Sequence, residues 1–457
     1  MENQSDSTII LFGATGDLAR RKLIPAIYKL IKSGYFKKYL LVGVALEDST
    51  LQQIFETARE FIDEYDQEIV DQCCAWGYYQ QLDVTNKQAF IQLTQEIKVL
   101  EQELGLSGNR LVYCSVTSQF FVPIVQHATA SGLLTCKKNN NGNKHAWQRV
   151  VFEKPFGDDL VSAQRMHTAI TSCLNDEQIY IIDHYLAKEI VENIALIRFT
   201  NRVLEPLWSA DNIDKVTITL KEKLDVSMRI VLFERFGVLK DVVQNHMFQL
   251  LALIAMEEPE NLTGDSIRVA KASVLEKVKF KSGYLGRYEG YAKHKGVAKD
   301  SKIATYANLE FTIDNKRWNG VTFNFVTGKC LKEKETSIEI EFKEVKCLLV
   351  HCPSERNKLK ISVIPRAGFS LELNAKKVGS KGEVTPVDMK FCHECIYGLY
   401  TPTAYETILQ EVIEGMRSIS VSFDELESSW KLIGDIEASH LPMYSYECGS
   451  DGPQKEN

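Results

Sequence analysis

Three stretches of this 457-residue chain place chemically useful side chains at telling intervals. In "GATGDLARRK", Gly13 and Gly16 allow the backbone to turn tightly and approach a pyrophosphate, whose charge faces a helix amino end. Ala19 is small where that helix must pack closely on the preceding strand. The spacing is GxxGxxA and not the commoner GxGxxG, so a tight strand–helix turn with no ligand is the alternative. In "IIDHYLAKEIVENI", His184 and Lys188 are four apart and stack on one face if the stretch is helical. With Tyr185 they offer two cations and a hydroxyl to a single anion, which suits a phosphate monoester. In "LKDVVQNHMFQLLALIAMEEP", Asp241 and Asn245 share a helix face, and His246 precedes a long apolar helix. That histidine is either a proton acceptor or a satisfied core side chain.

The end of the second strand bears on the choice of nucleotide. A carboxylate there accepts hydrogen bonds from a free ribose 2′-hydroxyl, whereas an arginine pairs with a 2′-phosphate. Here "VGVALEDST" supplies Leu46, Glu47 and Asp48 and no cation, which disfavours NADP. The alternative is that both acids merely begin the next helix, where first-turn carboxylates are favoured. Arg20 and Arg21 are still in reach of the adenine side.

The elements that must position these residues follow from periodicity. "STIILFGA", "YLLVGVAL", "GNRLVYCSV" and "RVVFEKPFG" read as buried strands. Between them "LARRKLIPAIYKLIKSG", "STLQQIFETAREFIDEY" and "SQFFVPIVQHATASG" read as helices, and "CKKNNNGNKHAWQ" as a polar loop. Such alternation predicts an α/β Rossmann domain with a doubly wound parallel sheet. From about Asn201 the pattern changes to alternating strands: "KVTITLKEKL", "ANLEFTIDN", "GVTFNFVTGK", "TSIEIEFKE", "KLKISVIP" and "FSLELNAK". They predict an α+β domain with one large antiparallel sheet. Helices return in "TAYETILQEVIEGM" and "FDELESSWKLIGDIEASH", and the tail "ECGSDGPQKEN" reads as frayed. The expected domains are 1–182, dinucleotide-binding, and 183–457, for substrate and dimerisation.

Composition narrows the function classes. The net charge of -7 speaks against a nucleic-acid binder, and 44% apolar with 25% charged residues is ordinary for a soluble protein. No apolar run approaches a membrane span, and the start "MENQSDSTIILFGATG" lacks the basic n-region of a signal peptide, so a cytoplasmic protein is expected. Eleven cysteines without regular spacing read as reduced thiols. "CC" (Cys73, Cys74), "CHEC" (Cys392, His393, Cys395) and "HC" (His351, Cys352) make a zinc site conceivable, but their spacing is irregular and no metal is expected.

Taken in order, "GATGDLARRK", "EKPFG", "DHYLAKE" and "KDVVQNH" resemble the hallmarks of the glucose-6-phosphate dehydrogenase family. "RWNGVTF", "GKCL", "TAYETIL", "FDELESSW" and "GSDGP" extend the likeness through essentially the whole chain. The resemblance implies oxidation of glucose 6-phosphate at C1 to the lactone, with NAD or NADP as hydride acceptor. It implies His246 as general base and Asp183 as its orienting partner. It gives His184, Tyr185 and Lys188 to the sugar phosphate, helped by Lys329, and Glu222 and Asp241 to sugar hydroxyls. Lys154 and Lys22 would lie between substrate and cofactor, while Gly13, Thr15, Gly16, Asp17, Leu18 and Glu47 line the dinucleotide site. Pro155 is a candidate cis residue, and a homodimer or homotetramer is expected.

Four positions depart from the family pattern. Leu46 stands where an arginine commonly meets the 2′-phosphate. "YCSVTS" (Tyr113–Ser118) replaces a proline-stiffened loop beside the nicotinamide. Ile364 replaces a glutamine expected at the sugar, and Val326 an arginine often found before "GK". The chain ends soon after "GSDGP", so no second, structural NADP site is expected. Dehydrogenation of another phosphorylated aldose, or nucleotide and sugar-phosphate binding without catalysis, are the alternatives that these departures keep open.

Overall fold

The apolar runs near the amino end become the middle of a seven-stranded sheet. In the computed structural model, which describes residues 6–135, 146–345, 356–397 and 402–454, β1 (Asp6–Phe12) is almost wholly buried. β2 (Lys38–Ala45) and β4 (Arg110–Cys114) flank it in parallel, and β3 (Gly77–Gln81), β5 (Gln148–Phe152) and β6 (Ile179–Ile182) continue the sheet outwards. Burial on both faces is what continuous apolar runs require of a parallel sheet. This bears out the doubly wound expectation.

Several helix readings change on contact with tertiary structure. The stretch read as one helix from Ser49 to Tyr65 is a helix only over Leu51–Ala58, started by a Thr50/Gln53 capping box. It passes into a 3₁₀ turn at Arg59–Phe61, where the Phe61 ring lies under the Arg20 and Arg21 guanidiniums and Ile62 turns inward. The helix after the glycine turn begins with a π-helical turn, Ala19–Leu23, before Ile24–Lys32. A helix over Lys87–Leu104, capped by Asn86 and stopped by Gly105 at φ 63°, had no counterpart in the sequence reading. The polar loop expected before β5 lies largely outside the described residues.

The nine-stranded second sheet comprises β7 (Ile213–Lys221), β8 (Val278–Tyr288), β9 (Tyr306–Ile313), β10 (Thr322–Gly328), β11 (Glu335–Phe342), β12 (Lys358–Ile364), β13 (Gly368–Lys376), β14 (Val384–Cys392) and a late strand described below. It is mostly antiparallel, as expected, although β10 pairs β7 in parallel. β15 (Ser420–Val421) adds antiparallel to β6 in the first sheet, and β16 (Met443–Tyr446) adds parallel to β8 in the second.

Contacts divide the chain into two compact units, Met1–Ala187 with Pro402–Phe423, and Lys188–Thr401 with Asp424–Asn457. The sequence division at 182/183 differs in two places: Asp183–Ala187 and Pro402–Phe423 both fall in the first unit. The second transfer follows from β15, which extends the parallel sheet from far along the chain.

In the second unit the helix Phe248–Ala255 is buried on every side, as an all-round apolar helix must be. Its last carbonyls all find donors. Arg198 bonds Leu253 O at 2.8 Å and Met256 O at 2.9 Å, while the indoles of Trp208 and Trp318 bond Ile254 O and Ala255 O. Arg198 thereby joins this helix to Glu189–Phe199, the helix that opens directly after Lys188.

Two further expectations fail. Cys330 with Cys448 and Cys392 with Cys395 form disulfides, so the cysteines are not all thiols. Cys330 and Cys448 are 118 positions apart and meet through β8, β9, β10 and β16, a neighbourhood that spacing does not reveal. The sulfurs of "CHEC" are bonded to each other, and "HC" lies outside the described residues. The tail is not frayed as far as Gln454: Gly452 is buried, and a Cβ there would stand 2.5 Å from the Tyr306 ring.

Candidate active site

In the first unit the glycine turn is held by backbone contacts. The Gly13 and Ala14 amides donate to Val44 O of the neighbouring strand, and Gly16 N closes the turn on Gly13 O at 2.9 Å. Gly13 has φ 82°, and a Cβ there would lie 2.2 Å from the Ser115 carbonyl oxygen. No side chain fits. Ser115 N in turn bonds Phe12 O, so the start of the "YCSVTS" loop is fixed to the glycine turn without prolines. Ala19 is fully buried, which confirms the need for a small residue there.

Beside this turn Thr15 Oγ1 donates to Glu47 Oε2 at 2.7 Å, and that bond holds the Glu47 carboxyl below the usual carboxylate range. Tyr79 and Gln81 bond the backbone oxygens of Glu47 and Leu46. Glu47 is therefore an oriented acceptor on the turn and does not begin the next helix, whose cap is Thr50. The Leu46 side chain is 64% exposed. Arg20 and Arg21 both pair with Asp17, at 3.0 and 2.7 Å, and Arg21 lowers the Asp17 pKa most. Leu18 caps the π-helical turn, which carries Lys22, an exposed cation. A glycine turn held in this way, with a carboxylate acceptor at its rim, fits the dinucleotide site of a nicotinamide cofactor.

Lys154 and Pro155 are joined by a cis peptide, as expected. Directly before them, at the end of β5, Glu153 is a buried carboxylate that the sequence reading missed. Tyr113 Oη donates to it at 2.6 Å, and the Tyr405 hydroxyl also bonds it. Burial raises the Glu153 pKa despite the Tyr113 hydrogen bond, and burial likewise raises both tyrosines. The Tyr405 ring stacks on His184 at 6.2 Å. A charged residue at the end of an apolar strand was the available signal for Glu153.

Asp183, 2% exposed, accepts from Tyr185 N at 2.9 Å, and its carbonyl accepts from Leu186 N. This side-chain-to-backbone turn competes with helix, so His184 and Lys188 do not sit on a helical face as the spacing suggested. The helix opens at Glu189, with Lys188 extended at its cap.

In the second unit Asp241, Asn245 and His246 lie on a π-helical stretch, Leu239–Met247, which runs into the buried apolar helix. Asn245 folds back onto the carbonyls of Lys240 and Asp241, whereas the Asp241 carboxylate reaches Lys329 Nζ at 2.8 Å. His246 is 3% exposed. Lys329 is 1% exposed and also pairs with Glu222. Parallel register brings this about: Gly328 of β10 lies opposite Lys221 of β7, so the next residues, Lys329 and Glu222, leave the sheet side by side. Arg229 completes the cluster, 3.2 Å from Asp241 and 3.7 Å from Glu222. Sequence reasoning missed Arg229, which lies in a short 3₁₀ turn without any motif. Two cations and two carboxylates here balance in charge while offering donors and acceptors together, the mixture that a sugar phosphate needs.

The amino-terminal residues 10–193 match the model of the glucose-6-phosphate dehydrogenase NAD binding domain, and residues 195–457 match that of its C-terminal domain. Glucose-6-phosphate 1-dehydrogenase of Bacillus subtilis (strain 168) is 34% identical, with 99% of this chain and 96% of that protein aligned. The Chlamydia pneumoniae enzyme of the same name is 35% identical over 98% of this chain and 93% of its own. A crystal structure of the Mycobacterium avium glucose-6-phosphate 1-dehydrogenase superposes with a TM-score of 0.86 at 31% identity, covering 99% of this chain and 96% of that one. A structure described as glucose-6-phosphate dehydrogenase in complex with its substrate glucose-6-phosphate gives 0.87 at 28% identity, with both chains covered in full.

Proposed function

The chain belongs to the glucose-6-phosphate dehydrogenase family, and on that premise we propose that it oxidises glucose 6-phosphate at C1 to the 6-phosphogluconolactone, the first oxidative step of the pentose phosphate route. Bound NAD(P) supplies the acceptor for the hydride leaving C1. His246 takes the proton of the C1 hydroxyl, and Asp183 holds the imidazole tautomer and steadies its positive charge. A positioned base of this kind contributes about 10²–10⁴-fold. His184, Tyr185 and Lys188 bind the phosphate with Lys329, while Glu222 and Asp241 accept hydrogen bonds from sugar hydroxyls. Lys154 and Lys22 lie on the path between sugar and nucleotide. The phosphate is remote from the reacting carbon, so its binding energy serves to orient C1.

The observation that carries this assignment is the Lys329–Glu222–Asp241 cluster, in which a buried lysine and Glu222 leave the ends of two parallel strands and meet Asp241 of the π-helical stretch. We propose a preference for NAD, supported by the Thr15-oriented Glu47, by the exposed Leu46 in place of a cation, and by the pairing of Arg20 and Arg21 with Asp17. We also propose a homodimer or homotetramer in the cytoplasm. Exposed Val387 and Met389 on the edge strand β14 favour assembly. Among the described residues no helix is long and apolar enough to cross a membrane.

The test follows nicotinamide reduction with glucose 6-phosphate and either cofactor, fitting kcat/KM for each. Turnover favouring NAD supports both proposals, and turnover favouring NADP keeps the enzyme and discards the role of Glu47. Turnover only with another phosphorylated aldose, or none, overturns the substrate. His246→Asn is expected to lower kcat by about 10²–10⁴-fold with the fold intact. Light scattering on the eluting protein decides the oligomeric state.

A further inference from the structure

We propose that Glu153 is a positioning residue that sets the sugar-phosphate site and the dinucleotide site from one carboxylate. Through Tyr405 it fixes the ring of His184, and through Tyr113 it fixes the Ser115 backbone beside the glycine turn. The inference rests on the roles given above to His184 and to that turn, and Glu153 acts on them only through the two tyrosines.

Strand register puts the carboxylate within reach of a neighbouring strand. Tyr113 of β4 lies opposite Val151 of β5, and Glu153, two residues on, continues the same face. Tyr113 is 1% exposed and donates to Glu153 Oε1 at 2.6 Å. The second donor, Tyr405, arrives from the helix Ala404–Glu414, which a Thr403/Glu406 capping box starts. Burial raises the pKa of both tyrosines, so at neutral pH each keeps its proton and donates it. Two such donors to one ionised carboxylate are charge-assisted bonds, and they fix its orientation from two elements.

Each tyrosine carries that orientation to a different site. The Tyr405 ring stacks on His184 with centroids 6.2 Å apart and planes 18° apart, while the Tyr185 ring lies 5.2 Å from the same imidazole. The stack thereby links a phosphate ligand to a buried charge. Tyr113 begins the segment that reaches the glycine turn. Two residues later Ser115 N bonds Phe12 O at 2.9 Å, and the Ser115 carbonyl occupies the space beside Gly13. A shift of Tyr113 passes to the turn through a single residue, the fully buried Cys114. "YCSVTS" contains no proline, so hydrogen bonds hold its start.

The charge on Glu153 is set between opposing neighbours. Burial acts most strongly and raises its pKa, the Tyr113 hydrogen bond and the Lys154 ammonium favour the anion, and Asp183 opposes it. Lys154 is also the next residue, so the cation placed between sugar and nucleotide is one peptide away. Both tyrosines and Lys154 therefore answer to one side chain, and a change there should be felt by both substrates.

The experiment measures the KM for glucose 6-phosphate and, separately, NAD(P) affinity by fluorescence titration in full-length variants, with circular dichroism and melting scans to confirm folding. Tyr405→Phe removes a hydroxyl and keeps the ring, so the KM for glucose 6-phosphate should rise on the order of fivefold with cofactor affinity unchanged. Tyr113→Phe should weaken NAD(P) binding on the order of fivefold and leave that KM unchanged. Glu153→Gln has one acceptor oxygen for two hydroxyls. It should move both quantities and lower kcat on the order of tenfold, because C1 and the nicotinamide lose their alignment. The double variant Tyr113→Phe, Tyr405→Phe should reproduce Glu153→Gln. A merely structural Glu153 would lower the melting temperature and shift both quantities together in every variant, which would overturn the proposal. Unchanged KM and affinity in folded Glu153→Gln would overturn it too. A wild-type protein that does not turn over glucose 6-phosphate would overturn the substrate instead, and the NAD(P) titrations of Tyr113→Phe and Glu153→Gln would still decide the dinucleotide arm.

Discussion

The glycine turn of the first unit and the charge cluster of the second are built by different physics. The turn is local: Gly13, Gly16 and Ala19 fall within seven consecutive residues, and the shape comes from backbone freedom and one neighbouring carbonyl. The cluster is assembled from Glu222, Arg229, Asp241 and Lys329, which parallel register and a π-helical turn bring into contact. A local site is robust to changes elsewhere but intolerant of substitution at its glycines. An assembled site tolerates modest side-chain changes but depends on every element that sets its register.

Four substitutions would break or sharpen that contrast, from the largest expected effect downwards. Gly13→Val adds a Cβ where the Ser115 carbonyl already lies and demands a left-handed backbone from a β-branched residue. NAD(P) affinity, read by fluorescence titration, should fall on the order of a hundredfold, since a shift of about 1 Å suffices for that. Lys329→Ala removes one ammonium but leaves the sheet intact, and the KM for glucose 6-phosphate should rise about tenfold or more, as for loss of a charged hydrogen bond. A milder effect on KM than the Gly13 change has on cofactor affinity is the expected ordering. The reverse ordering would mean that the assembled cluster carries more of the binding than the turn. Leu46→Arg supplies the missing cation at the rim of the turn, and the ratio of kcat/KM values should move toward NADP on the order of fivefold.

The smallest effect concerns pH. Burial raises the Glu153 pKa above its unfolded value, so the folded state holds this proton more tightly than the unfolded chain does. The associated stability is fully present below the unfolded carboxylate range and is lost as pH rises through the raised folded value. Glu153→Gln keeps a hydrogen-bonding group near Tyr113 without the charge. Melting scans should therefore show the variant losing less stability than the wild-type protein between acidic and neutral pH. Parallel melting curves for the two proteins would assign the stability change to other carboxylates, such as buried Glu411, whose pKa is also raised by burial.

How far each site could be read in advance follows from the same distinction. Gly13, Gly16 and Ala19 were legible because a strand, a tight turn and a helix follow one another in sequence. Glu47 was ambiguous until Thr15 was seen to hold it and Thr50 to cap the next helix. The spacing of His184 and Lys188 suggested a helix, but the Asp183 carboxylate captured the Tyr185 amide and a turn formed instead. Arg229 belongs to no short spacing that could have marked it, and the one mark of Glu153 was a charge at the end of an apolar strand. Cys330 and Cys448 misled for the same reason, since only the sheet order brings them together.

The sequence by itself determined the two kinds of sheet, through continuous apolar runs first and alternating strands afterwards, and it determined the phosphate-sized turn, through residues whose constraints are local. Tertiary structure alone decided which charges meet. It put Lys329 between Glu222 and Asp241, paired Tyr405 with Glu153, and strapped the terminal segment over Lys329. The physical reason is that backbone propensity acts over a few residues, whereas a buried charge is stable only where folding delivers its partner.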